Sequence, residues 1–231
     1  MKKRNEAFRE TLKKPNKKLQ WVYRILYIIV FGIIILEVLN RAWYNVFLCV
    51  LTILLWSIPQ FIERRAKINI PDTLEVIVLL FIFAAEILGE LREYYSTYIY
   101  WDTMLHTTNG FLCAAIGLSL INIINNSPKF TFSLSPPFVI FVAFCFSMTV
   151  GVLWEFFEFG CDLFLGTNMQ KDTILADGTI DIGLIDTMTD MFVNFLGAAV
   201  FSVIGFFFVK NQDSNRWLEH FMLSKISDAE K

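Results

Sequence analysis

Six runs of mainly apolar residues, each close to the length that crosses a bilayer, limit what this chain can become. They fall at about 20–39, 43–61, 72–91, 101–124, 137–162 and 186–209. A helix rises 1.5 Å per residue, so about 20 residues cover the hydrocarbon core. Every backbone N–H and C=O in that core needs a partner within the chain, and helices of this length supply it. The expected fold class is therefore all-α: a polytopic membrane helical bundle with six transmembrane helices. Composition agrees, since 55% of the residues are hydrophobic and Phe occurs 24 times, more than a soluble domain usually carries. The third run is the weakest, because it holds Glu75, Glu86 and Glu90. The fifth has Ser135 as a cap and Pro136-Pro137 in its first turn, and Asp186 is placed to cap the sixth. The first run ends without a small-residue cleavage site, so it reads as a retained span and not as a signal peptide.

Charge placement orients the bundle. Lys2, Lys3, Arg4, Arg9, Lys13, Lys14, Lys17 and Lys18 precede the first run. Arg64, Arg65 and Lys67 follow the second, Lys129 follows the fourth, and Lys210, Arg216, Lys225 and Lys231 follow the sixth. The alternate loops hold only Arg41, Arg92 and Lys171. The positive-inside rule then makes both termini cytoplasmic. Trp43, Tyr94, Tyr95, Tyr98, Tyr100 and Trp101 suit the outer aromatic belt. This divides the chain into a basic cytoplasmic tail (1–19), a six-span membrane domain (20–210) and a cytoplasmic amphipathic tail (211–231). Phe8 and Leu12, and then Trp217, Leu218, Phe221 and Met222, are spaced for interfacial helices, with solvated charged tails as the alternative. Net charge is −2, so no nucleic-acid partner is expected, and the lipid bilayer is the certain one. Cys49, Cys113, Cys145 and Cys161 stand singly in apolar runs and read as small buried hydrophobes. In the loop 163–185, Asp177-Gly178 between Thr173-Ile174-Leu175 and Thr179-Ile180 is a hairpin signal. It reads as a tight connection, with a lid as the alternative.

Ionisable residues inside spans are expensive and need an account. Asp102 and His106 are i,i+4 on the fourth run, with Asn109 near their face. Glu155, Glu158 and Asp162 form a stripe on the fifth. Asp162 reads as a solvated helix end. Asp186, Asp190, Asn194 and Gly197 form a stripe on the sixth, and Glu86 and Glu90 end the third. Under the charge-derived orientation all of these lie toward the outer end. Glu155, for example, is roughly 27 Å past Pro137 on an outward-running helix. The inner halves of the fourth, fifth and sixth runs carry no ionisable group, and Gly110, Ala114, Gly117, Gly197 and Ala198 suit close helix packing there. The site is expected to be open outward and sealed toward the cytoplasm, with runs three to six as the bundle core.

Carboxylates crowded at low dielectric repel one another, so shared protons or a bound cation must hold them. Carboxylates with one imidazole are a ligand set for a divalent metal. In this reading Glu155, Glu158, Asp186 and Asp190 are the metal ligands. Asp102 and His106 are the catalytic acid/base pair, and Asn109, Asn194, Glu86 and Glu90 are supporting residues.

The order of the motifs has a familiar form. Asp102, His106 and Gly110, then Trp154 to Glu158 as WEFxE, then Asp186, Asp190, Met191 and Gly197-Ala198 together resemble the YjdF-like family of bacterial inner-membrane proteins. That resemblance implies a multi-pass protein of the bacterial plasma membrane, and little chemistry. More remotely, Asp190, Asn194 and Gly197 after the Asp-His and Glu motifs are similar to the VanZ-like proteins linked to glycopeptide tolerance. The chain departs from that pattern at Glu158, where Gln is expected, and lacks the Arg that follows.

Three functions stay open. The first is an outward-facing site for a divalent cation or polar lipid headgroup, acting as a metal-dependent hydrolase or transferase on a lipid-linked or small polar envelope substrate. The second is a transporter or proton-coupled carrier, which needs a polar path to the cytoplasm. The third is a structural or assembly protein whose acids are held protonated by one another.

Overall fold

The computed structural model describes residues 16–125, 134–211 and 223–225. Among them, five helices are long and apolar enough to cross a membrane: Lys17–Leu39, Trp43–Ala66, Trp101–Asn125, Pro136–Leu165 and Leu184–Lys210. The first two are α1 (Lys17–Leu39) and α2 (Trp43–Ala66). The others are α5 (Trp101–Asn125), α6 (Pro136–Leu165) and α7 (Leu184–Asn211). The third apolar run is helical over its whole length but not uniform. It is an α-helix, α3 (Asp72–Ile82), that passes directly into a π-helical segment, Phe83–Leu91. The Trp56 indole N–H donates to the Leu79 carbonyl at 3.0 Å, one turn before the ladder widens. Phe83 N still donates to that carbonyl, so the α-helical ladder is intact at Leu79 and the indole bond adds to it. A short α4 (Tyr94–Thr97) follows. The all-α membrane fold expected from the apolar runs is the fold found.

The described residues form two compact units, one up to Ile99 together with 223–225 and the other from Tyr100 onward. This grouping differs from the expected core of runs three to six, because the third run packs with the first two. Tyr23, Leu26 and Val30 of α1, Cys49 and Trp56 of α2, Leu79 of α3 and Ile87 of the π-helical segment make one buried cluster. Polar residues predict where helices need company, but the apolar faces of α1 and α2 claim the third run. Ile68–Asn69 pairs antiparallel with Ser224–Lys225 in the same unit. The tail residues Phe8, Leu12, Trp217, Leu218, Phe221 and Met222 lie outside the described residues.

In the second unit α5, α6 and α7 pack through small residues and rings. Gly110 of α5 sits against the backbone at Asn194 and Ala198 of α7, so that an added Cβ would overlap the Asn194 carbonyl oxygen. Gly197 of α7 sits reciprocally against Thr107 and Phe111, and its added Cβ would overlap the Thr107 carbonyl. Small residues let membrane helices approach this closely, where packing replaces the absent hydrophobic drive. Ser147 Oγ of α6 donates to the Gly110 carbonyl at 2.7 Å, which ties the third helix to the crossing. Beyond it, Phe111 meets Phe201 edge-on at 5.0 Å and Phe144 meets Phe195 at 5.3 Å. Ala114, Ala115, Ala143 and Ala198 are buried.

The helix starts depart from expectation in two details. Ser135 stands at the α6 N-cap but its side chain makes no capping bond, so Pro136 and Pro137 define that end. Asp186 lies inside the first turn of α7 and does not cap it; Asp181 Oδ2 accepts from Ile185 N at 2.8 Å instead. The predicted hairpin forms, pairing Thr173 with Asp181 and Ile174 with Ile180. Asp177 Oδ1 accepts from Thr179 N and Oγ1, and Gly178 takes a φ of 84°. The Thr179 hydroxyl, and then its backbone amide, hold the Asp177 carboxyl below the usual aspartate range.

The crossing makes a sharp prediction. Gly110→Ala or Gly197→Ala should destabilise the protein by about 1–3 kcal/mol through overpacking. Gly160→Ala, with nothing within 4 Å of the added Cβ, should cost nothing. Thermal unfolding of the three variants in one detergent checks this; equal midpoints would contradict it.

Candidate functional site

The close approach of α5 and α7 has a consequence one turn away from the glycines. His106 is four residues before Gly110, and Asp190 is four before Asn194. His106 Nε2 lies 3.4 Å from Asp102 Oδ1 on its own helix and 3.7 Å from Asp190 Oδ2 on the neighbour. One ligand atom from each of Asp102, His106 and Asp190 lies within 4.8 Å of the other two. Asp190 is 3% exposed and His106 8%, so these groups are largely removed from solvent.

The third helix brings Glu155 and Glu158 to the same place. Both are buried. Thr187 and Gln170 lie within hydrogen-bonding reach of Glu155. Glu158 Oε1 accepts from the Trp154 indole at 2.9 Å, while Glu155, Asp102, Asp190 and Asp186 all act on Glu158 electrostatically. Glu155 Oε2 and Glu158 Oε2 are buried and accept no hydrogen bond from the described residues. A buried acceptor without a donor costs about 1–3 kcal/mol, more when charged. Two such atoms beside three further acids are therefore an unbalanced arrangement of this chain on its own.

Asp186 is half-buried and acts electrostatically on Asp190 and Glu158, but is not in the tightest group. Of the four residues expected as ligands, only Asp190 is in it, alongside the two expected to do acid/base work. The supporting asparagines are placed as a brace: Asn109 Nδ2 donates to Asn194 Oδ1 at 2.9 Å, and Asn194 Nδ2 approaches Met148 Sδ at 3.6 Å. Gly151 leaves the space that the Asn194 amide fills. Glu86 and Glu90 belong to the other unit. There Glu86 is buried with Oε2 accepting nothing from the described residues, and Glu90 Oε2 lies 3.4 Å from the Tyr44 hydroxyl.

Several residues of the site were not legible beforehand. Asp162, read as a solvated helix end, is a loop anchor. Its Oδ1 accepts from Thr167 Oγ1 at 2.5 Å and from Met169 N at 2.7 Å, and its Oδ2 accepts from Gln170 N at 2.8 Å. Gln170, held in this way, donates to Thr187 Oγ1 at 2.8 Å and reaches Glu155. Gly183, with a φ of 94°, passes so close to Gln170 that a Cβ would overlap its carbonyl. Lys171, next in the chain, acts electrostatically on Asp102 and Asp190. Loop residues obey no periodicity, so only the i,i+4 step from Glu158 to Asp162 offered a signal.

A family model described as a predicted membrane protein, DUF2238, matches residues 19–211. The chain belongs to the DUF2238 family. The resemblance to YjdF-like proteins fits this family. The DUF2238 match runs through both units, from the start of α1 to the end of α7. A Thermotoga maritima protein carrying the description "Uncharacterized protein" is 26% identical over 139 residues, which is 60% of this chain and 65% of that relative. The alignment thus spans just under two thirds of the relative's length. No solved structure matches the chain.

Asp162→Ala should free the segment that carries Gln170 without unfolding the helices. Loss of charge-assisted bonds worth about 1.5–3 kcal/mol each should speed amide hydrogen exchange at Met169 and Gln170 by roughly tenfold or more, with the middle of α6 unchanged. Unaltered exchange at those two amides would show that Asp162 anchors nothing.

Proposed function

We propose that this DUF2238 protein holds one divalent cation between α5 and α7, and uses it to hydrolyse or transfer an ester or phosphoester of a lipid-linked envelope substrate. Asp102, His106 and Asp190 are the first ligands, and Glu155 and Glu158 complete the sphere or take up the proton released from water. The observation that carries this reading is the spacing around His106 Nε2, at 3.4 and 3.7 Å from two carboxylate oxygens. These separations are long for hydrogen bonds, which favour about 2.7–3.2 Å. They suit atoms that each stand about 2.1 Å from a shared ion. Glu155 Oε2 and Glu158 Oε2, which accept no hydrogen bond from the described residues, add support, because a cation is one of the two remedies for such crowding.

A bound cation of this kind supplies an activated water and polarises the bond to be broken. The chain's own groups do the rest. Lys171 bears on the same carboxylates and offers a positive charge to an anionic substrate. Thr187 and Gln170 hold Glu155 in place. Phe156 and Phe159, flanking the site acids on α6, are exposed, so a substrate with an acyl chain can reach the rim from the bilayer. The remoter VanZ-like order of motifs is in keeping with an envelope substrate. We take Asp72–Leu91 as the sixth crossing, with both termini in the cytoplasm of a bacterial cell and the site facing outward.

One observation favours a second reading, a proton-coupled carrier. The π-helical Phe83–Leu91 segment carries buried Glu86, whose Oε2 accepts no hydrogen bond from the described residues, and irregular helices in transporters line ion sites. Substrate uptake that follows a proton gradient and stops in Glu86→Gln would favour the carrier.

The metal reading is checked by elemental analysis of the detergent-purified full chain. Wild type should retain about one divalent ion per chain, and His106→Ala and Asp190→Asn should lose most of it, as ligand removal does. Equal, near-zero metal in all three would overturn the proposal.

A further inference from the structure

We infer that the first unit has a binding site of its own for a zwitterionic phosphate–ammonium group, the chemistry of a phosphatidylethanolamine headgroup. The observation is a cavity of about 430 Å³ where α1 begins, α2 ends and α3 begins. That volume is within the usual range for small-ligand sites. Its lining carries both signs of charge. Arg24 and Arg64 line it and are exposed, while Glu63, Asp72 and Glu75 line it from half-buried or buried positions.

The acids are held firmly. Glu75 is 5% exposed, and its Oε1 accepts from the Tyr23 hydroxyl at 2.5 Å. Glu63 Oε1 accepts from Ile70 N at 2.7 Å. Glu63 and Asp72 both act electrostatically on Glu75, so the three carboxylates form one negative lobe. Gln60 contacts the Tyr23 hydroxyl and braces the same wall. A cationic group entering the cavity would be drawn to this lobe.

The two arginines line the cavity from exposed positions and give it a positive rim. Arg24 stacks over the Trp21 ring at 5.5 Å, and that ring is exposed. Exposed Trp beside Arg is the pairing found at the membrane–water boundary. A guanidinium matches a phosphate with paired donors. A primary ammonium presents three donors to carboxylates. A ligand carrying both groups satisfies rim and floor together. A phosphatidylglycerol headgroup would satisfy only the rim. The quaternary ammonium of phosphatidylcholine has no N–H to offer the acids. A free phosphate ester bearing an ammonium has the same two groups, so lipid and soluble sources share one chemistry.

The test is native mass spectrometry of the purified full chain with phosphatidylethanolamine, phosphatidylglycerol and phosphatidylcholine, and with O-phosphoethanolamine as the soluble competitor. Wild type should retain phosphatidylethanolamine about tenfold better than either other lipid. Glu75→Gln keeps an acceptor for Tyr23 and should bring ethanolamine and glycerol lipids near parity. The double variant Arg24→Gln/Arg64→Gln should weaken both by about tenfold. Displacement by O-phosphoethanolamine would support the site with a soluble ligand, and retention of the lipid against it would support the membrane source. Equal retention of all three lipids by wild type would overturn the inference. So would an unchanged preference in a Glu75→Gln protein that melts like wild type.

Discussion

The site rests on two glycines facing each other's backbones. Gly110 and Gly197 let α5 and α7 approach until carbonyl oxygens stand where Cβ atoms would be. Helix geometry then carries that closeness along the pair. One turn from the crossing, the side chains of His106 and Asp190 meet across the gap. The Asn109–Asn194 bond lies at the same crossing, and the Ser147 hydroxyl docks α6 onto it. Without an apolar drive between helices in lipid, these small-residue and polar contacts are what bring the acids together.

What they bring together is unfavourable for the chain alone. Five acids from three helices act on one another, two of them beside the His106 imidazole, and Lys171 bears on those two. Ionisable groups inside membrane helices are expensive, which is why this cluster carries the functional proposal. The loop between α6 and α7 is tied to the same acids. Asp162 anchors it, Gln170 and Thr187 pass its order to Glu155, and the hairpin closes it. The loop is the tight connection favoured from sequence, and its Gln170 and Lys171 bear on Glu155, Asp102 and Asp190.

The apolar runs were readable because bilayer thickness sets a length that leaves little choice. The i,i+4 and i,i+3 steps put Asp102 with His106, and Glu155 with Glu158, on common faces for the same kind of reason. Asp177-Gly178 announced the hairpin because that turn needs a residue tolerant of positive φ. The π-helical segment Phe83–Leu91 had no such mark, since its sequence is mainly apolar and free of Pro like that of an ordinary span. The grouping of the third run with α1 and α2 was hidden as well. Its acids drew attention toward the polar helices, while Leu79 and Ile87 decided its packing. Gln170 and Lys171 were invisible because a loop residue's neighbours depend on where the chain turns.

α5 and α7 hold Asp102, His106 and Asp190 within ligand distance of one another. Cadmium bridging measures this without reference to any native metal. The background is a chain whose Cys49, Cys113, Cys145 and Cys161 are replaced by Ala, carrying Asp102→Cys and Asp190→Cys singly and together with His106 kept. Thiolates bind soft cations strongly, and two held at one ion should act as a chelate. The account predicts Cd²⁺ binding at least about a hundredfold tighter for the pair than for either single change. Affinity no greater than that of the better single variant would mean that the two helices do not meet there, and the account would be contradicted.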